Sequence, residues 1–89
     1  MKVYLQEQEC TGTYKFNGQI CYTRGIEAEF GDRVFKMIAD TFKLIRPLVE
    51  SGIADYFQVA IVDMDDGGKI KVWIIDDIDH ITFLLPCEY

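Results

Sequence analysis

Apolar and polar residues alternate with a period of two through most of Tyr56 to Leu85, and Asp/Gly-rich segments interrupt the alternation. The runs Tyr56 to Met64, Lys69 to Asp77 and Ile78 to Leu85 therefore read as a three-stranded antiparallel meander. Taking Asp66-Gly67 as a two-residue type I′ turn sets Val59 opposite Ile74 and Ile61 opposite Val72. A second turn at Asp77-Ile78 sets Ile74 opposite Ile81 and Val72 opposite Phe83. This register predicts one apolar face of Phe57, Val59, Ile61, Ile70, Val72, Ile74, Ile81, Phe83 and Leu85. The other face carries Gln58, Ala60, Val62, Met64, Lys69, Lys71, Trp73, Ile75, His80, Thr82 and Leu84. Because strand side chains alternate, a slip of one residue exchanges the faces.

In the first half, Lys2 to Gln8 alternates weakly and predicts an initial strand. Asn17-Gly18 is a hairpin signal that predicts pairing of Thr13 to Phe16 with Gln19 to Thr23. After Arg24-Gly25-Ile26 the period changes to 3.6. Phe30, Val34, Met37, Ile38, Thr41, Phe42, Leu44, Ile45, Leu48 and Val49 share one half of the helical wheel, while Asp32, Arg33, Lys36, Asp40, Lys43, Arg46 and Glu50 share the other. The pattern predicts an amphipathic helix of about twenty residues with one wide buried face. Ser51-Gly52 supplies its stop. Pro47 removes the hydrogen bond to the Lys43 carbonyl on the polar arc, which predicts a bend convex toward solvent or a break near Arg46; the alternative is that the helix ends at Ile45.

Assembled, residues 1–89 predict a single two-layer α+β domain in the order β-β-β-α-β-β-β, an antiparallel sheet with one long helix across one face. One helix covers one face. Trp73, Ile75, Val62, Met64 and Leu84 then lie on the opposite face, covered by the amino-terminal hairpin or by another chain, a second copy included.

Charge narrows the partners. The chain has 15 acidic and 9 basic residues, a net charge of -6, 49% hydrophobic residues and two prolines. Phosphate backbones and anionic lipid surfaces repel such a surface, so neither nucleic acid nor membrane is an expected partner, whereas a basic protein surface is. No run reaches the roughly 18 apolar residues of a membrane span, and the amino terminus has no signal-peptide pattern. Three cysteines, Cys10, Cys21 and Cys87, are an odd number without C-x-x-C spacing, which fits a reducing cytoplasm.

Candidate chemistry is sparse. Asp63-x-Asp65-Asp66-Gly67 opens like a calcium loop, but its glycine falls at loop position five and Ile74 stands where the bidentate Glu belongs, so a hairpin turn accounts for it better. His80 beside Asp76, Asp77 and Asp79 suggests acid/base or metal chemistry, yet no second His, Ser or Cys stands at motif spacing. We expect no catalysis, no metal and no cofactor. Asp63, Asp65 and Asp66 fall at one end of the meander and Asp76, Asp77 and Asp79 at the other, roughly 25 Å away at strand rise. Together they are able to imitate phosphates for a basic groove, with Trp73, Ile75 and Met64 making the tight contact.

Tyr22-Thr23-Arg24-Gly25-Ile26 before the helix and Asp55-Tyr56-Phe57-Gln58-Val59 at the meander's start resemble the family called domain of unknown function nine-sixty, over roughly Cys21 to Val62. The chain departs from it over Glu27 to Asp32, which lacks a proline at the helix start, and in the later strand. The resemblance implies a small protein of Gram-positive or mobile-element type and brings no activity with it. In size and acidity the chain is also similar to phage-encoded anti-CRISPR and anti-restriction inhibitors. The expectation is an inhibitor that occludes a nucleic-acid-binding surface of a host defence enzyme; the alternative is a self-associating structural domain, with a small metal-dependent enzyme as the outsider.

Overall fold

The computed structural model describes residues 1–89. The helical region is built in two segments, α1 (Arg24–Phe30) and α2 (Val34–Glu50), joined by a 3-10 turn at Gly31–Arg33. The Thr23 side chain caps α1 by accepting the Ile26 N–H, and Gly31 ends it at φ 54°, a backbone state that suits a residue without Cβ. The break thus falls at Gly31 and not near Arg46. Pro47 sits inside α2, which continues through it to Glu50, and the Pro47 carbonyl accepts the Ser51 N–H at 3.0 Å.

Five strands, β1 (Lys2–Leu5), β2 (Gln19–Tyr22), β3 (Phe57–Asp63), β4 (Lys69–Asp76) and β5 (His80–Leu84), form one sheet in the spatial order β1-β3-β4-β5-β2. The meander β3-β4-β5 is antiparallel as expected, and β1 joins its edge antiparallel to β3. The predicted amino-terminal hairpin does not form. β2 instead pairs parallel with β5, which makes the sheet mixed. Gly18 serves a close approach there: a Cβ on it would lie 2.7 Å from the Ile78 carbonyl oxygen, and the next residue, Gln19, donates its N–H to the Asp79 carbonyl at 2.9 Å.

Because β1 and β2 occupy opposite edges, residues 6–18 must cross one end of the sheet. This strap is pinned along its length. Gly12 and Tyr14 donate N–H groups to the carbonyls of Ile53 and Ala54 at 3.3 and 3.1 Å. Gln8 accepts from the Asp55 N–H and from Gln58 Nε2, and donates from its own Nε2 to the Ile53 carbonyl at 2.6 Å. Phe16 is the strap's one buried side chain and joins the core.

The register differs from the expected one in an informative way. Asp63 pairs with Lys69, and Met64 donates its N–H to the Gly68 carbonyl at 2.7 Å, so the loop holds three residues, Asp65, Asp66 and Gly67. A type I′ turn needs positive φ at both central positions; here Gly67 alone has it, at 91°, as a three-residue loop requires. The extra loop residue slides β3 by one and turns it over. Gln58, Ala60 and Val62 face the helix, while Phe57, Val59 and Ile61 face away. At the other turn Asp77 donates to the His80 carbonyl, so the central pair is Ile78-Asp79. That shift moves the β4–β5 pairing by two, setting Ile74 opposite Phe83, and the faces of β4 and β5 stay as expected.

The core lies between α1, α2 and the inward face. Ile26, Phe30, Val34, Met37, Ile38 and Ile45 pack over Ala60, Val62, Val72, Ile74, Ile81 and Phe83. The Phe42 ring stands edge-on to Phe83 with centroids 5.8 Å apart. Burying a side chain such as Phe83 contributes about 2 to 3 kcal/mol each. Thr41 satisfies its hydroxyl inside this layer by donating to the Met37 carbonyl at 2.8 Å.

Candidate interaction surfaces

The layer of helices covers one side of the sheet, and the other side has no layer of its own. Outward along β3 and β4 point Phe57, Val59, Ile61, Trp73 and Ile75, all half-buried. The turn Pro86–Glu88 returns beside β4, and Tyr89 stands edge-on to Trp73 with ring centroids 5.5 Å apart. Phe57 meets the other side of the indole at 5.1 Å, and Tyr56 and Tyr14 continue the series at 6.2 and 5.8 Å. The two contacts to the indole are edge-to-face, which fixes ring orientations, and the two beyond it are tilted. Tyr56, Phe57, Trp73, Ile75 and Tyr89 enclose a dent of about 220 Å³.

Trp73 and Ile75 are where the alternation of β4 put them. Met64 is not on this face. The register slip turns it toward the helices, where it packs against the core. Phe57, Val59 and Ile61 were expected under the helix and instead form the apolar centre of the open face. Only the loop length, readable in Gly67 as the single positive-φ residue, carried that information.

The acidic residues divide by what they touch. Asp63 Oδ1 accepts from Lys69 Nζ at 2.7 Å; this hydrogen bond and the carboxylate charge hold the Lys69 ammonium above the usual lysine range. Asp65 accepts from the Met1 amino group and pairs with Arg33 Nη1 at 3.3 Å. The Met1 hydrogen bond and charge, with Arg33 adding to them, hold its carboxyl below the ordinary range. Asp66 Oδ1 accepts the Gly68 N–H at 2.9 Å and so caps its own loop. At the opposite end Asp76 is a correction to the expected exposed cluster: it is buried, 4% accessible, and its carboxylate binds backbone on both sides. Asp77 and Asp79 are exposed and form no ion pair. The two carboxylate groups therefore do lie at opposite ends of the sheet, but Asp63, Asp65 and Asp76 are occupied by the molecule itself.

Around Asp76 lie the two most constrained backbone positions. Its Oδ2 accepts the Phe16 N–H at 3.0 Å and its Oδ1 accepts the Ile78 N–H at 2.8 Å. Phe16 (φ 49°) and Ile78 (φ 75°) are the two non-glycine residues with positive φ. For a β-branched residue this is a strained state, and a charged acceptor compensates it.

His80 is exposed on the outward side of β5, no group of three His, Cys, Asp or Glu side chains gathers in metal-binding geometry, and Cys10, Cys21 and Cys87 are all free thiols. No helix is long and apolar enough to cross a membrane. No family model, curated protein or solved structure matches the chain.

Proposed function

We propose that this chain is a protein-interaction module whose contact surface is the outward face of its sheet, centred on Trp73. The observation that carries the reading is the aromatic and aliphatic series Phe57, Val59, Ile61, Trp73, Ile75 and Tyr89 on a face that no layer of the molecule covers. Half-buried aromatics around a shallow dent are the residue types that dominate binding energy at protein interfaces. The net charge of -6 favours a partner with a basic surface, and Asp66, Asp77 and Asp79 are the carboxylates left to meet it. Lys2 and Lys71, exposed on the outward side, lie near the opposite end from Asp77. Asp63 and Asp66 share that end, so carboxylates balance the lysines there, and the uncompensated negative charge lies at Asp77 and Asp79.

Within that class, the narrower reading is an inhibitor that covers the nucleic-acid-binding surface of a host defence enzyme. Its support is the acidity and size of the chain, and its charge mimicry rests on three carboxylates, not six. The test is capture of partners from a host lysate with wild type and with Trp73→Asp, over a salt series. A partner that is a nucleic-acid-handling protein, lost in Trp73→Asp and released steeply as salt rises, supports the reading. Retention that ignores both the substitution and the salt overturns it.

A further inference from the structure

The sheet has two edges, and one of them borders a groove. β1 pairs only with β3, so its other side is open. The phase of its ladder follows from one bond, Gln6 N–H to the Val59 carbonyl at 2.8 Å. In an antiparallel pair, directly opposed residues that exchange hydrogen bonds alternate with those that do not. Lys2, Tyr4 and Gln6 therefore bond to β3, and Val3 and Leu5 turn their N–H and C=O groups outward. Beside this edge lies a cavity of about 550 Å³ between β1 and α2. Its lining includes Val3, Tyr4 and Leu5 in succession, from both faces of the strand, as expected where the edge of β1 borders the space. Leu44, Leu48 and Ile53 form the far wall; Leu44 is 38% and Ile53 41% exposed. β1 carries neither proline nor bulge nor inward charge, and its protection as an edge is limited to its four-residue length and the exposed Lys2.

We propose that the occupant of this edge is a second copy of the chain, its β1 added antiparallel to form one continuous ten-stranded sheet about a two-fold axis. The sequence of β1 is itself the pattern the groove asks for. With Tyr4 opposite the second copy's Tyr4, Val3 falls opposite Leu5 in both directions, and these are the residues whose backbone groups point outward. The two tyrosine rings, 45% exposed in the single chain, then meet in a non-hydrogen-bonded pair, where side chains approach most closely. The same register puts Lys2 opposite Gln6, next to Glu7, which lines the groove and has no ion-pair partner within its own chain. The two-fold axis makes that complementarity twice. On the helix side, Leu44 and Leu48 lie one turn apart, roughly 6 Å, and face their counterparts across the axis, which covers the apolar wall that the single chain leaves open. This surface is separate from the Trp73 face, so the dimer would present two such faces side by side.

Sedimentation velocity of the full chain tests the proposal. Wild type is expected to be a dimer at roughly 100 µM, a concentration at which even a micromolar complex is nearly saturated. Val3→Pro removes an N–H that points away from the sheet, a position where an edge strand tolerates proline. Leu44→Glu places charge on the helix wall without touching the ladder. Each is expected to weaken dimerisation about 100-fold or more, the scale of a central interface residue, with an unchanged circular dichroism spectrum. Should Val3→Pro fail to fold, Leu44→Glu decides alone. Trp73→Asp is expected to leave the dimer intact. A wild type that stays monomeric at that concentration overturns the proposal, and so does a dimer unaffected by Leu44→Glu. A dimer abolished by Trp73→Asp but not by Leu44→Glu overturns it in favour of pairing through the other face.

Discussion

Asp76 Oδ2 accepts the backbone N–H of Phe16 at 3.0 Å across 60 positions of sequence. The bond ties the strap to the end of β4 and holds Phe16 at a positive φ, while the other oxygen holds Ile78 in the same kind of strained state. One buried carboxylate thus stabilises a crossing loop and a tight turn together. Hydrogen bonds to a charged acceptor contribute about 1.5 to 3 kcal/mol each, and removing the acceptor leaves both donors unsatisfied. Asp76→Ala is expected to lower unfolding stability by about 3 kcal/mol or more, measured by denaturant titration. Amide exchange at Phe16 and Ile78 should accelerate together. Asp76→Asn, with a single side-chain acceptor, should protect one of the two amides and not the other.

Gly18 lies against the same turn from the other side. A Cβ there meets the Ile78 carbonyl oxygen at 2.7 Å and the Asp79 carbonyl group at 2.8 Å, all backbone atoms of a strained turn that has little room to yield. Gly18→Ala is therefore expected to cost about 1 to 3 kcal/mol, the range for overpacking; in the hairpin that Asn17-Gly18 suggests, the cost would come from a positive φ, whereas here it comes from contact. Gly25→Ala is the informative comparison. Its Cβ would meet only the Glu88 carboxylate, at 2.6 Å, which hydrogen bonds from Thr23, Leu85 and Gly25 hold in place, so the substitution displaces that carboxylate and no backbone, and a gain in helix propensity of up to about 0.8 to 1 kcal/mol partly offsets the loss.

What the sequence made legible, and what it did not, separates along this line. The helical period from Phe30 onward and the alternation in β4 and β5 are local signals, and local packing answers them. β3 misleads because its odd positions, Phe57, Val59 and Ile61, are more apolar than Gln58 and Ala60, so hydrophobicity alone puts the wrong face inward. Gln58 becomes an interior residue only because Gln8 and the Asp55 carbonyl come to meet its amide at 2.7 and 3.1 Å, and no pattern within the strand announces either. Asp76 likewise reads as one more turn carboxylate until the strap is laid across it. Of the expected contact surface, Trp73 and Ile75 were readable because the alternation of β4 survives either register, and Asp63 and Asp65 lost their availability to Lys69, Arg33 and the Met1 amino group, partners fixed by tertiary structure.

The interior position of Gln58 has its own consequence. Its Oε1 is buried with no hydrogen-bond partner, and an unsatisfied buried acceptor carries a desolvation cost of about 1 to 3 kcal/mol. Gln58→Met removes that oxygen at nearly the same shape. Gln8 Oε1 keeps the Asp55 N–H at 3.1 Å, but the Asp55 carbonyl loses its 3.1 Å bond from Gln58 Nε2, so one unsatisfied acceptor is exchanged for another. We expect a change in stability within about 1 kcal/mol of zero, whereas Gln58→Ala, which also leaves a cavity beneath the helices, should be clearly destabilising in the same denaturant titration.

Glu88 gives the chain an acid-sensitive latch. Its Oε1 accepts from the Thr23 hydroxyl at 2.5 Å and the Leu85 N–H at 2.9 Å, and its Oε2 from the Gly25 N–H at 3.0 Å. The Thr23 hydrogen bond first, then those from the Leu85 and Gly25 backbone, hold the carboxyl below its ordinary range against the opposing effect of desolvation. A folded-state pKa below the unfolded one means that the stabilisation is complete above the ordinary glutamate range and is lost as pH falls through the lowered value. Asp40, lowered by its hydrogen bond to Lys36, and Asp65 lose stabilisation in the same acid window, so the useful quantity is a difference. The gap in unfolding midpoint between wild type and Glu88→Gln should be present at neutral pH and close as the pH is taken below the carboxylate range. A gap that stays constant with pH would assign the effect of the substitution to shape and not to charge.

Trp73 is the single tryptophan of the chain, which makes the open face observable without a label. Its indole is half-buried between Phe57 and Tyr89, and Tyr89 itself is 83% exposed. An edge-to-face pair of this kind contributes about 0.5 to 1.5 kcal/mol beyond its buried area. Tyr89→Ala should therefore cost about 1 kcal/mol or less, because the exposed ring buries little. The same substitution takes an aromatic cover off the indole, and the emission maximum should move to longer wavelength. Partner binding at this face should move it the opposite way as water leaves the ring. If saturating partner leaves the emission of Trp73 unchanged while binding is confirmed by another probe, the contact lies elsewhere on the molecule, and the carboxylates Asp77 and Asp79, exposed and unpaired at the far end of the sheet, become the next residues to reverse.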